Sequence, residues 1–173
     1  MIIRKRELKD IESWVDVNIS SWLDNLKDIV SPRIISIMNA NREKRIIKER
    51  ENFAEDDEHY VLENENGIIG ILKIKKSDRE GLEDCGEVQM LYLLTEFKNK
   101  GYGKILLEKA FAILKEKGFD KIVIGCLENN PSNEFYRHMG GTFLRQDQWN
   151  IFDEVYIENV YLYDFRKKEN RDE

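Results

Sequence analysis

Apolar positions change their spacing along this chain, and the changes predict its elements. Ile11, Trp14, Val15, Ile19, Trp22, Leu23 and Leu26 recur at helical spacing behind Asp10, a capping residue. Ser31-Pro32 opens a second helix, with Ile34, Ile35, Met38, Ile46 and Ile47 on its apolar side. Ahead of these helices, residues 2 to 6 read as a short edge strand. The period then shortens. Strands are predicted over 60–63 and 68–74, joined by Asn64-Glu65-Asn66-Gly67, because an Asn-Gly step between apolar runs signals a hairpin. Glu87 to Leu94 is nearly unbroken apolar sequence and suits a strand buried on both faces. A helix over 101–117 stops at Gly118, a strand covers 121–127 and a short helix covers 133–139 before Gly140-Gly141. Two closing strands, 142–149 and 154–164, flank a turn at 150–153.

This order predicts one domain over residues 1–165 with a charged tail over 166–173. The expected fold is α/β in the broad sense (α+β). It has a mixed, mostly antiparallel sheet of about seven strands, flanked by about four helices. The strands on either side of the 101–117 helix form its parallel pair. Composition narrows the function. A net charge of -6 with 36% charged residues describes a globular chain with no basic face for nucleic acid. Cys85 and Cys126 form no CxxC pair, and His59 and His138 have no donors at ligand spacing, so no metal is expected. Burial in a strand makes Cys126 a structural thiol rather than a nucleophile. No stretch is long and apolar enough for a membrane span, and no apolar core follows the basic start, so a cytoplasmic enzyme with reduced thiols is expected.

Candidate chemistry begins at Lys98-Asn99-Lys100-Gly101-Tyr102-Gly103, between the buried strand and a helix N-terminus. Unpaired N–H groups, the helix dipole and glycines that permit close approach together suit a pyrophosphate. Lys98, Lys100 and Lys104 add positive charge. The Walker pattern fails, because Lys98 stands at its first glycine and Ile105 at its Ser/Thr. The dinucleotide fingerprint fails at Leu106.

A third pattern, [Q/R]-x-x-G-x-[G/A], resembles the phosphate loop of the GCN5-related N-acetyltransferases, with Lys98 in place of Gln/Arg. Two more segments are similar to that superfamily and stand in its order. Glu87 to Leu93 resembles its fourth strand, and Asn129-Asn130-Pro131-Ser132-Asn133-Glu134-Phe135-Tyr136 with Gly140-Gly141 resembles its late helix motif, with Ser132 in place of alanine. The resemblance implies a fourth strand splayed from the fifth, with pantetheine lying along Leu91, Tyr92 and Leu93. It implies a pyrophosphate cradled by Asn99, Lys100, Gly101, Tyr102, Gly103 and Lys104 beside Lys98. Asn129 and Ser132 fall at cofactor-contacting positions, and Tyr136 falls near the CoA sulfur.

The implied reaction moves an acetyl group from acetyl-CoA to a primary amine of a polyamine-like small molecule or a peptide, in a ternary complex. An alkyl amine attacks only when neutral, so a carboxylate is needed to take its proton. Glu87 is the candidate, both as base and in acceptor binding, with a hydrated strand-end carboxylate as its bland alternative. Tyr136 is the candidate acid for the leaving thiolate. Trp22 reads chiefly as core and secondarily as a wall of the acceptor pocket. A non-catalytic acyl-CoA-binding module on the same fold stays open, and so does a homodimer through the last strands.

Overall fold

The computed structural model describes residues 1–166. The charged tail expected over 166–173 lies outside the described residues from 167 onward. Seven strands form a sheet in the order β1-β2-β3-β4-β5-β7-β6. They are β1 (Ile2–Lys5), β2 (His59–Asn64), β3 (Gly67–Lys76), β4 (Gly86–Leu93), β5 (Lys121–Leu127), β6 (Thr142–Ile151) and β7 (Glu154–Asp164). The helices are α1 (Ile11–Leu26), α2 (Pro32–Ala40), α3 (Arg42–Glu51), α4 (Tyr102–Glu116) and α5 (Ser132–His138). The chain packs as two compact units.

The first unit comprises Met1–Lys73 with Met90–Leu106. Strands β1 and β2 pair antiparallel from Ile2↔Glu63 to Lys5↔Tyr60, and β2 pairs antiparallel with β3. The hairpin loop is Glu65-Asn66, closed by Asn64↔Gly67, so Gly67 begins β3 at φ +97°. The Asn66 N–H donates to Asn64 Oδ1 at 2.8 Å. The predicted apolar stripe of α1 is its buried face, with Ile11 and Val15 fully inaccessible. Asp10 precedes α1 but does not cap it. Its carboxylate accepts the Glu7 N–H at 2.8 Å and two guanidinium N–H bonds from Arg4, which closes the turn before the helix.

The single helix expected after Ser31 is two, so the described residues hold five α-helices. Ser31 Oγ accepts the Ile34 N–H, with Pro32 at the first helical position as predicted. Asn41 then interrupts the run at φ -105°, ψ 19°. Its Nδ2 donates to the Ile37 carbonyl at 2.7 Å while its own carbonyl accepts the Arg45 N–H at 2.9 Å. An asparagine able to serve both ends locally competes with a continuous helix.

The second unit comprises Ile74–Gln89 with the chain from Leu107. The parallel β4–β5 ladder covers Gly86↔Ile122 to Val88↔Ile124, although β4 runs on to Leu93 and β5 to Leu127. Strand β7 pairs antiparallel with both β5 and β6. Helix α4 ends as predicted. Gly118 (φ +94°) and Phe119 donate back to the Lys115 and Leu114 carbonyls at 2.9 and 3.0 Å, a Schellman closure. Among the described residues, no helix is long and apolar enough to cross a membrane.

Candidate active site

In the first unit, β4 passes through Leu94 and a 3-10 turn (Thr95–Phe97) into the glycine turn. Asn99 (φ +57°) and Gly101 (φ +86°) are both left-handed, which bends the chain sharply into α4. The Gly101 carbonyl accepts the Ile105 N–H at 3.2 Å, so the amides that follow Gly101 open the helix. The first N–H groups of a helix have no intrahelical acceptor. Asn99, Lys100, Gly101 and Lys104 are exposed, while Tyr102 and Gly103 are half-buried. Upstream, Leu91 and Tyr92 are half-buried and Leu93 is buried. Gly70 permits this close packing, since a Cβ there would stand 2.8 Å from Leu93 Cδ2 and 3.2 Å from the Tyr92 carbonyl oxygen.

The turn is tied to the end of α1. Thr95 Oγ1 donates to Asp24 at 2.6 Å, and Lys98 Nζ donates to Asn25 Oδ1. Asn25 in turn donates to the Ser21 carbonyl at 2.7 Å, and Ser21 Oγ to the Leu93 carbonyl at 3.2 Å. Burial lowers the Lys98 pKa against the opposing charge of Asp24. Lys98 thus braces the loop, while Lys100 stands over the Phe97 ring with its Nζ 5.5 Å from the centroid. Trp22 lies on the buried core face of α1.

In the second unit, Glu87 is not a hydrated strand-end group. Its side chain is 6% exposed and its Oε1 accepts from Arg79 at 2.9 Å. Glu87 Oε2 is buried with no hydrogen-bond partner. The same guanidinium reaches Glu158 at 2.5 Å and Asp147 at 3.0 Å, and Asp147 also accepts from Arg145 at 2.8 Å. Burial raises the Glu158 pKa against the opposing pull of Arg79. For Asp147, burial also pushes upward, but hydrogen bonds from Arg145 and Arg79 outweigh it and leave the group below its ordinary range. The cluster lies against β5 at Gly125, where a Cβ would meet Glu158 Oε2 at 2.4 Å and Arg79 Nη2 at 2.5 Å. Arg79, Asp147 and Glu158 are not legible as site residues, because they come from a polar loop and two separate strands and meet only on folding. The available signal was Gly125, a glycine inside an apolar strand, which marks a close approach.

Helix α5 is held by Asn133, another residue the motif did not single out. Its Nδ2 donates to the Leu127 and Asn130 carbonyls at 2.8 and 2.7 Å, and its Oδ1 accepts from Asn159 at 3.0 Å and Tyr161 at 2.7 Å. Tyr136 is buried, with its ring 5.3 Å from Phe135 and 6.3 Å from Tyr161. Its carbonyl accepts from the Tyr163 hydroxyl at 2.8 Å and the Gly141 N–H at 3.0 Å. Gly141 has no room for a side chain there, since a Cβ would stand 2.8 Å from that carbonyl oxygen. Ser132 is half-buried at the start of α5, its N–H on Asn130 Oδ1 at 2.9 Å, and Asn129 is exposed. Burial pushes the Cys126 thiol up to about 12, which makes it a poor nucleophile. Among the described residues, no group of three or more His, Cys, Asp or Glu is placed to hold a metal ion.

Comparison with known proteins bears on the family and the fold. A model of the acetyltransferase (GNAT) family matches residues 24–140. The chain is 26% identical to the uncharacterized N-acetyltransferase YuaI of Bacillus subtilis (strain 168) over 152 residues, 86% of this chain and 84% of the relative. The crystal structure of PaiA N-acetyltransferase from Thermoplasma acidophilum in complex with coenzyme A has a similar fold, with TM-score 0.70 and 24% identity over 94% of this chain and 98% of that one. YncA from Salmonella typhimurium, solved with its cofactor acetyl-CoA, gives TM-score 0.66 and 15% identity over 95% of this chain and 93% of that one.

Proposed function

Because the chain belongs to the acetyltransferase (GNAT) family, we propose that it moves an acetyl group from acetyl-CoA to a primary amine of a small molecule or peptide, by direct attack in a ternary complex. The glycine turn is the observation that carries this reading. Left-handed Asn99 and Gly101 open α4 so that its first amides suit an anion such as a pyrophosphate. Lys100 and Lys104 supply its countercharge, since Lys98 is engaged by Asn25. The coenzyme A in the PaiA structure and the acetyl-CoA in the YncA structure support the choice of co-substrate. We assign pantetheine contacts to the main chain of Leu91, Tyr92 and Leu93, and further cofactor contacts to Asn129 and Ser132.

Acetyl-CoA supplies an acyl carbon activated by its thioester. The amine nitrogen forms the new C–N bond as the C–S bond breaks. Glu87 takes the amine proton, and with Oε1 held by Arg79 the accepting oxygen is Oε2. Tyr136 protonates the departing thiolate. Main-chain N–H groups of β4 polarise the carbonyl.

Calorimetric titration with acetyl-CoA, alongside ATP and NAD, tests the reading. Micromolar binding of acetyl-CoA alone is expected. Binding of ATP without acetyl-CoA would overturn it. Tight acetyl-CoA binding with no transfer across a broad panel of amines would make the chain an acyl-CoA-binding module instead.

A further inference from the structure

Arginine and an ionised carboxylate pair best fork to fork, through two parallel N–H···O bonds that engage both carboxylate oxygens. Arg79 and Glu87 do not pair that way. Arg79 Nε donates to Glu87 Oε1 at 2.9 Å, and Nη2 stands 2.9 Å from the same oxygen. One edge of the guanidinium therefore converges on Oε1, while the buried Oε2 has no hydrogen-bond partner. A bare, buried carboxylate oxygen is costly, and a guanidinium free to slide would cover it. The third nitrogen shows what prevents the slide. Nη1 donates to Glu158 Oε1 on β7 at 2.5 Å and to Asp147 Oδ2 on β6 at 3.0 Å. Asp147 is fixed in turn by Arg145, whose Nε donates to Oδ1 at 2.8 Å. The guanidinium also lies hard against β5, where a Cβ on Gly125 would stand 2.5 Å from Nη2. All of these groups belong to the second unit.

We propose that Arg79 is a positioning residue for the transfer: clamped through Nη1 by Glu158 and Asp147, it turns Glu87 so that Oε1 is held and Oε2 is kept for the amine proton. The inference rests on the assignment of Glu87 as the base and adds three residues that act through it. Lysine cannot take over this role, because an ammonium is a point charge with no fork to divide between one carboxylate and two others. Glu158 and Asp147 act by geometry as well as by charge. With either one neutral, the hold on Nη1 weakens, and the guanidinium is free to close over both oxygens of Glu87. Neutralising a neighbouring carboxylate then lowers turnover, although Glu87 itself is untouched.

Turnover of acetyl-CoA with n-butylamine and with the tripeptide alanyl-glycyl-glycine, read as free thiol released, tests the clamp. The variants are Arg79→Lys, Glu158→Gln, Glu87→Gln and the two doubles that include Glu87→Gln. Arg79→Lys and Glu158→Gln are each expected to lower kcat by about tenfold to a hundredfold, the scale of a small misplacement of a catalytic group. The KM for acetyl-CoA should change by less than about twofold. Both losses should vanish in the Glu87→Gln background, because a residue that acts through Glu87 has nothing left to position there. Parental kcat in either single variant would overturn the clamp while acetyl transfer stands. So would a loss confined to the KM for acetyl-CoA, or losses that add in full to that of Glu87→Gln, since these mark a purely structural ion cluster. Parental kcat in Glu87→Gln would instead overturn the base assignment, and the clamp with it.

Discussion

Gly125→Ala and Tyr136→Phe each test the proposed site at a single residue. A methyl group on Gly125 would stand 2.4 Å from Glu158 Oε2 and 2.5 Å from Arg79 Nη2. Gly125→Ala therefore drives the ion pair off β5. The expected cost is about 1–3 kcal/mol in denaturant unfolding, the range for forcing a group into a filled site. An unchanged midpoint would mean that the pair is not anchored there. Tyr136→Phe removes one oxygen and keeps a ring packed by Phe135 and Tyr161. Turnover should fall by about a hundredfold, the scale of losing a general acid, while acetyl-CoA affinity changes by less than about twofold. Undiminished turnover would remove Tyr136 from the chemistry. The sequence shows Glu87 and Tyr136 because each lies in a local pattern. It hides Arg79, whose partners are 8, 68 and 79 residues away.

Elements were legible where one local rule acts alone. Strand β5 spans Lys121–Leu127 as its apolar run predicts, and α4 stops at a glycine that supplies a left-handed turn. The α2–α3 break was not legible, because Asn41 side-chain and backbone bonds decide it against an otherwise helical pattern. His59 is a similar case. In sequence it is only a histidine without donors at ligand spacing, but at the start of β2 its Nδ1 is buried with no hydrogen-bond partner. The Trp14 ring lies edge-on 5.1 Å away. Burial first, then the charges of Arg6 and Lys73, depress its pKa from 6.5 to about 4, against Asp57 and Glu49. The folded state thus binds a proton less readily than the unfolded chain. Stability should fall as pH drops from about 6.5 to about 4, by up to roughly 3 kcal/mol. His59→Gln should flatten that window relative to the parent in urea unfolding at each pH. Parallel curves for the two proteins would show that His59 titrates alike in both states.

At the scale of the whole molecule, the family was legible because three short patterns stand in order along the chain, and a family model matching residues 24–140 spans all three. The acceptor was not, because no local pattern marks it, and the charged groups gathered around Arg79 come from a loop and the late hairpin that only folding brings together. Co-substrate binding is the property that tests the molecule as a unit. A ligand that binds only the folded state stabilises it by about 2.7 kcal/mol at a hundred times its Kd. For a chain of 173 residues this corresponds to a rise in Tm of about 5–10 °C. Acetyl-CoA should produce that shift and ATP at the same concentration should not. Gly101→Ala adds strain at φ +86° in open space, so its own Tm should fall modestly, by the equivalent of about 1–2 kcal/mol, and its acetyl-CoA shift should shrink. Gly125→Ala, destabilised elsewhere, should keep the full shift. If both variants kept it, the glycine turn would be no part of the binding site, and the amides opening α4 would have to be replaced as the anchor of the co-substrate.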